Sequence, residues 1–155
     1  MADSVHEDIL TLARTRLAAL SLPGNAQNRI VERELIAGAW GTGLPNWPFV
    51  ILSGFGILTD LGTGSSCAFE MAYPLVICYT DRKIQWDATS RSAQQKAVQK
   101  ILDAFIHKPL TLTYSGASCS DIRFVAGPTS ENVDEGWQII MRQLTFDVHV
   151  EQNLT

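Results

Sequence analysis

The residues with the most chemical potential lie in one glycine-rich stretch, Ile57-Leu-Thr-Asp-Leu-Gly-Thr-Gly-Ser65. An acidic residue followed by Gly62 and Gly64 lets backbone approach a ligand closely, because glycine has no Cβ to hold it away. Asp81, a second acidic residue, ends the next apolar run. Elsewhere the reactive types are scattered. A nucleophile–base site needs a histidine beside an activated Ser or Cys, yet His6 falls on the first predicted helix, His107 at the end of the second and His149 in the last strand. His107 reads as a cation at a helix C-terminus, and His149 as a residue facing solvent or a partner. Cys67, Cys78 and Cys119 are odd in number and widely spaced, without a Cys-x-x-Cys pair. They read as reduced thiols acting as small hydrophobes. No His/Cys/Asp/Glu set has zinc or calcium spacing. Glu32 with Glu34, and Asp81 with Asp87, read as solvated charges rather than acid–base pairs.

The glycine-rich stretch resembles the first motif of class I methyltransferases. By that resemblance Asp60, Gly62 and Gly64 would approach the methionine part of S-adenosylmethionine, and Asp81 would sit where such enzymes hold the ribose. Spacing argues for a hairpin tip instead. Only about ten residues separate Gly64 from Leu75, too few for the crossover helix a parallel sheet requires. A small S-adenosylmethionine-binding enzyme using Asp60 to Ser65 stands as the alternative reading.

The elements that must position these residues belong to a short chain. At 155 residues, with 46% hydrophobic and 18% charged, it forms one domain over residues 1–155 with a core that needs no metal or disulfide. Disorder is excluded by the apolar content. Twelve basic against 16 acidic residues give a net charge of −4, which argues against a nucleic-acid binder; Arg14, Arg16, Arg29 and Arg33 are the nearest approach to a basic stripe. The acidic N-terminus lacks a signal-peptide layout, and no run reaches the ~20 apolar residues of a membrane span. The expected product is soluble and made in a cytoplasm.

Helical spacing of Val5, Ile9, Leu12, Ala13, Leu17 and Leu20 predicts a helix over 5–20, with Ser4 as N-cap and Glu7 completing a capping box. A second helix is expected over 91–107, burying Ala97, Val98, Ile101 and Phe105, with Gln94 on its polar face. Strands are expected at 29–36, 47–52, 67–79, 110–114, 122–126 and 137–150. The second and third of these runs make a hairpin of about 49–80, and Pro74 within it implies a bulge, an edge or a break. In the last strand the apolar residues move from odd positions (Trp137, Ile139, Met141) to even ones (Leu144, Phe146, Val148), which predicts a bulge near Arg142-Gln143. The fold class is α+β: an N-terminal helix, a mainly antiparallel sheet with a long β-hairpin, one helix packed on the sheet and a bulged long C-terminal strand.

Three segments carry a resemblance to the tail-terminator and head–tail joining proteins of long-tailed bacteriophages. These are Leu44-Pro-Asn-Trp-Pro48 leading into Phe49–Leu52, then Tyr73-Pro-Leu-Val-Ile-Cys-Tyr-Thr-Asp81 followed by the helix ending at His107-Lys-Pro-Leu110, and Gly136-Trp137 before Leu144–Val150. The resemblance implies a virion protein forming a ring, usually of six subunits, at the head-proximal end of a tail. That ring stops polymerisation of the tail tube and joins it to the neck or connector. Its implied partners are further copies of itself, the tail-tube protein and the connector protein. DNA passes through the lumen without sequence-specific contact, and no catalytic residue, cofactor, metal or membrane is implied. On this reading the hairpin arm meets a neighbour through Phe55, Ile57, Leu58, Asp60 and Leu61. Trp40, Trp47 and Trp137 either cap a small core or make subunit contacts, where aromatics are enriched.

Overall fold

The computed structural model describes residues 3–32, 46–54, 56–65, 68–134 and 136–153. Helix α1 (Val5–Ala18) is followed by a 3₁₀ segment (Pro23–Asn28) and strands β1 (Ile30–Glu32), β2 (Phe49–Ser53), β3 (Thr59–Ser65) and β4 (Ala68–Lys83). Helix α2 (Ala88–Phe105) then precedes β5 (Ala117–Ala126), β6 (Thr129–Asp134) and β7 (Trp137–Asn153). Among the described residues seven strands form one sheet, in the order β1-β2-β4-β7-β5, with β3 alongside β4 and β6 alongside β7. Every pairing is antiparallel except that of β1 with β2.

Both helices cover the same face. Val5, Ile9, Ala13 and Leu17 of α1 and Ala97, Ile101 and Phe105 of α2 pack against Leu52, Leu75, Ile77, Phe146 and Val148 of the sheet. Ser4 caps α1 as its sequence requires, its Oγ accepting from Glu7 N–H at 3.1 Å. The reciprocal bond is displaced by one residue, because Glu7 Oε2 accepts from Asp3 N–H. Helix α2 starts earlier than its apolar stripe suggests, since Asp87 accepts from Ser90 N–H and caps the turn ahead of Arg91.

The long hairpin is present in a particular form. Strand β4 is one arm; β2 pairs with its distal half and β3 with the half near the tip. Pro74 lies in the gap between β2, whose pairing ends at Val76, and β3, whose pairing begins at Ala72. The missing N–H therefore faces no ladder there, while β4 stays paired without interruption to β7 on its other side.

Several expectations are corrected. The run from Ala68↔Asn153 to Lys83↔Gln138 has no register shift, so β7 carries no extra residue at Arg142-Gln143 opposite β4. Its apolar residues change parity because they serve two faces. Leu144, Phe146, Val148 and Val150 point to the helices, whereas Met141 packs on the opposite face with Phe49, Ile51 and Cys78. The switch falls where β7 changes neighbour, from β6 up to Arg142 to β5 from Thr145. Along β7 the register shifts fall in its partner β5 instead, between Cys119 and Asp121 and between Phe124 and Ala126.

Residues 110–114 form no strand, since Asp8 of α1 takes the N–H groups of Thr113 and Tyr114. Strand β6 has no apolar alternation to mark it in the sequence. Gln94 is buried rather than on the polar face of α2. Of the strand expected over 29–36, β1 accounts for 30–32, and the remainder lies outside the described residues.

Candidate functional site: the hairpin arm and the aromatic face

The sequence Asp60-Leu-Gly-Thr-Gly forms part of strand β3, which folds back antiparallel onto β4. A methyltransferase motif needs a strand, a turn and then a helix, and here the next element is another strand. The Asp60 side chain serves its own backbone, Oδ1 accepting from Gly62 N–H at 2.8 Å. Gly62 has φ +99 and pairs with Glu70 just after a register shift that separates it from Asp60, whose partner is Met71. A side chain there would strain the backbone, so Asp60 and Gly62 together build a bulge. Asp81, the second residue of that reading, is buried within β4; its carboxylate accepts from Arg82 N–H at 2.8 Å and lies 3.6 Å from Lys83 Nζ. Burial pushes its pKa up, against the pull of those two partners.

The arm presents apolar side chains to solvent. Ile57 is 82% exposed, and Leu58 and Leu61 are also exposed. Strand β3 pairs with β4 alone, so its outer edge is free of any ladder among the described residues. An exposed edge carrying aliphatic side chains is the kind of surface that seeks a partner. Phe55 lies outside the described residues, as does Trp40.

Where β3 meets β2, the arm is held against α1. His6 Nε2 lies 3.3 Å from the Pro74 carbonyl oxygen, and its ring is 5.8 Å from that of Tyr73. Gly54 passes so close that a Cβ there would stand 2.1 Å from His6 Nε2. Absence of a side chain at Gly54 thus admits the imidazole, which reaches Pro74 in the gap between the β2 and β3 pairings of β4. Tyr73 Oη adds a bond to Gln152 Oε1 of β7 at 2.5 Å.

Trp47 and Trp137 come together on the face away from the helices. Arg82 links them, its guanidinium 5.2 Å from the Trp47 ring centre and 4.5 Å from that of Trp137. Trp47 also packs on Phe49 at 4.8 Å. Both tryptophans are half-buried. No local motif marks Arg82 in the sequence, although period two along Cys78, Thr80 and Arg82 places it on the same face as Phe49 and Ile51. Trp86 lies elsewhere, donating from Nε1 to the Gln138 carbonyl at 3.1 Å.

Catalytic pairings do not assemble among the described residues. His107 follows the end of α2 with φ +56 and bonds through Nδ1 to Asp121 Oδ1 at 3.0 Å. Asp121 also holds Arg123, and these bonds draw its pKa below the ordinary carboxylate value, His107 contributing most. Cys78 is buried and free, with its pKa pushed up to about 12 by burial, while the half-buried Cys119 is also raised by burial. No group of three or more His, Cys, Asp or Glu side chains among the described residues could hold a metal ion. Of the arginines nearest to a basic stripe, Arg33 lies outside the described residues, and the other three are engaged within the chain. Arg14 pairs with Glu32, Arg16 donates to the carbonyls of Ala104, Lys108 and Pro109, and Arg29 donates to that of Pro48.

No family model matches the chain, and no curated protein matches it either. Among solved structures, the fold is similar to that of a chain from the virion of a native gene transfer agent particle. The TM-score is 0.58 at 13% identity, over 96% of this chain and 99% of that one. At that identity the likeness concerns the fold.

Proposed function

We propose that this chain is a virion structural protein that acts as a tail terminator: a ring, of six copies by the family pattern, at the head-proximal end of a phage-type tail. The observation that carries the reading is the correspondence of fold with a chain of a virion particle, over 96% of this chain and 99% of that one. The three sequence segments that resemble tail-terminator proteins support it independently, as does the exposed aliphatic arm. In this role the ring halts growth of the tail tube on one face and offers the other to the connector. Phe55, Ile57, Leu58, Asp60 and Leu61 belong to the contact arm, and Trp40, Trp47 and Trp137 to contact surfaces. Net charge of −4 per copy supports a bore in which acidic side chains outnumber basic ones, so that passing DNA is repelled rather than held.

Loss of the gene from the genome that encodes it tests the proposal. Tails of uncontrolled length, corrected by supplying the protein, are the expected result. Tails of normal length with unattached heads would instead assign the chain to the neighbouring joining position. Normal particles lacking any trace of the protein would overturn a virion role.

A further inference from the structure

Resting on that reading, we propose that the contact arm docks into a specific cleft on a second copy of the chain, with Asp60 of one copy meeting Arg91 of the next. The cleft, of about 250 Å³, lies between the first turn of α2 and the β6–β7 pair, and is lined by Trp86, Arg91, Glu131, Val133, Gln138 and Ile140. Trp86, Val133 and Ile140 form its apolar part, Arg91, Glu131 and Gln138 its polar part, and Ile84, beside it in sequence, is exposed. Arg91 is exposed and makes no ion pair among the described residues. The nearby Lys83 is already engaged by Asp81.

The arm has the complementary character. Asp60 stands between Leu58 and Leu61, with one carboxylate oxygen held by Gly62 and the other without a partner among the described residues. An aliphatic–acidic–aliphatic segment thus complements a cleft that combines apolar side chains with one uncommitted cation. Glu131 also lines the cleft and opposes a second carboxylate, so docking depends on Arg91 being the group that Asp60 meets.

Sheet geometry makes the contact intermolecular. Asp60 is opposite Met71 on the β3 side of β4, whereas Gln138 is opposite Lys83 on the β7 side. From Met71 to Lys83 the strand advances about 40 Å at ~3.3 Å per residue. Arm and cleft therefore occupy diagonally opposite corners of one sheet, and no chain can fill its own cleft. A contact between two different surfaces of identical chains is head-to-tail, and it closes into a ring when the rotation permits.

Sedimentation of the full-length chain over a concentration series tests the pairing. Asp60→Arg and Arg91→Asp should each weaken association about tenfold or more, and the double exchange should recover most of the loss. Glu131→Gln should tighten it, and Leu61→Ser should weaken it without a change in charge. Circular dichroism of each variant separates loss of association from loss of fold. Association that is indifferent to both single reversals, or a double exchange no better than either single one, would overturn the pairing while leaving a ring in place. A wild-type chain that stays monomeric up to roughly 1 mM yet terminates tails would also overturn it, and would assign the arm to the tube protein. Failure to terminate tails, with association intact, would instead strike at the tail reading and spare the pairing.

Discussion

Arg82 lies with its guanidinium 4.5 Å from the ring centre of Trp137, two strands away from Trp47, whose ring it also approaches. The contact ties β4 to β7 and to the entry of β2, on the face without helices. Cation–π contacts of this kind contribute about 0.5–2 kcal/mol, more as they lose water. Arg82→Ala is therefore expected to lower stability by about 1–2 kcal/mol in urea unfolding. Arg82→Lys should recover only part of it, because the planar stack is lost. Tryptophan fluorescence, which shifts when the stack is broken, gives a second readout. No change in either measurement would show the stack to be incidental.

Asp8 joins the first helix to residues 113 and 114. Its carboxylate accepts from Thr113 N–H and Oγ1, each at 2.7 Å, and from Tyr114 N–H at 3.0 Å. Burial pushes its pKa up, but these three bonds outweigh it and bring the group below its ordinary value. The folded pKa is lower than the unfolded one, so the stabilisation is present above the unfolded value and lost as pH falls through the folded value. Asp8→Ala should cost about 2 kcal/mol at pH 7, from the N–H groups left unpaired. The gap between wild type and variant should narrow below roughly pH 4. A gap that stays constant between neutral and acid pH would contradict the ionised-cap account.

Gly54 leaves the space that the His6 ring occupies. Gly54→Ala should force the imidazole away from Pro74 and cost about 1–2 kcal/mol through overpacking and the lost bond. If His6 is the cause, His6→Ala should remove most of the added penalty, and the double-mutant cycle reads that coupling directly. Strictly additive effects would place the strain elsewhere.

The arm's exposed aliphatic residues have little to contribute to the monomer. Ile57→Ser and Leu58→Ser should each change stability by no more than about 0.5 kcal/mol, and deletion of Leu61 to Ser65 should leave the rest of the chain folded. All three should impair assembly. A deletion variant that assembles like wild type would remove the arm from the interface.

Cys78 offers a check on the sheet's second face. With its pKa raised to about 12 by burial, its thiol should resist alkylation at pH 8 in the native chain and react on unfolding. Peptide mapping would assign the site. Rapid native labelling of Cys78 would show that this face opens in solution.

Local patterning was legible where one physical signal dominated. The i, i+4 stripe of Val5, Ile9, Ala13 and Leu17, and that of Ala97, Ile101 and Phe105, specified helices because one face of each had to be buried. Ser4 announced its cap, whereas the Gly/Ser-rich segment read as a hairpin tip runs as strand β3 up to Ser65, and residues 66–67 lie outside the described residues. The sequence by itself thus determined an α+β chain with two amphipathic helices and a long hairpin, and its spacing already disfavoured a cofactor loop at Asp60. Tertiary structure decided what depends on pairing with distant residues. The change of parity in β7 has the same local signature whether an extra residue is inserted or the strand serves two cores, and only its unbroken register with β4 distinguishes them. Nor does Leu110–Tyr114 reveal in its own alternation that Asp8, over a hundred residues earlier, takes its N–H groups. Likewise Asp60 and Arg91 acquire meaning as a pair only once the sheet sets them at opposite corners, because the reach of one side chain is a few ångströms and the placement of its partner is a property of the whole fold.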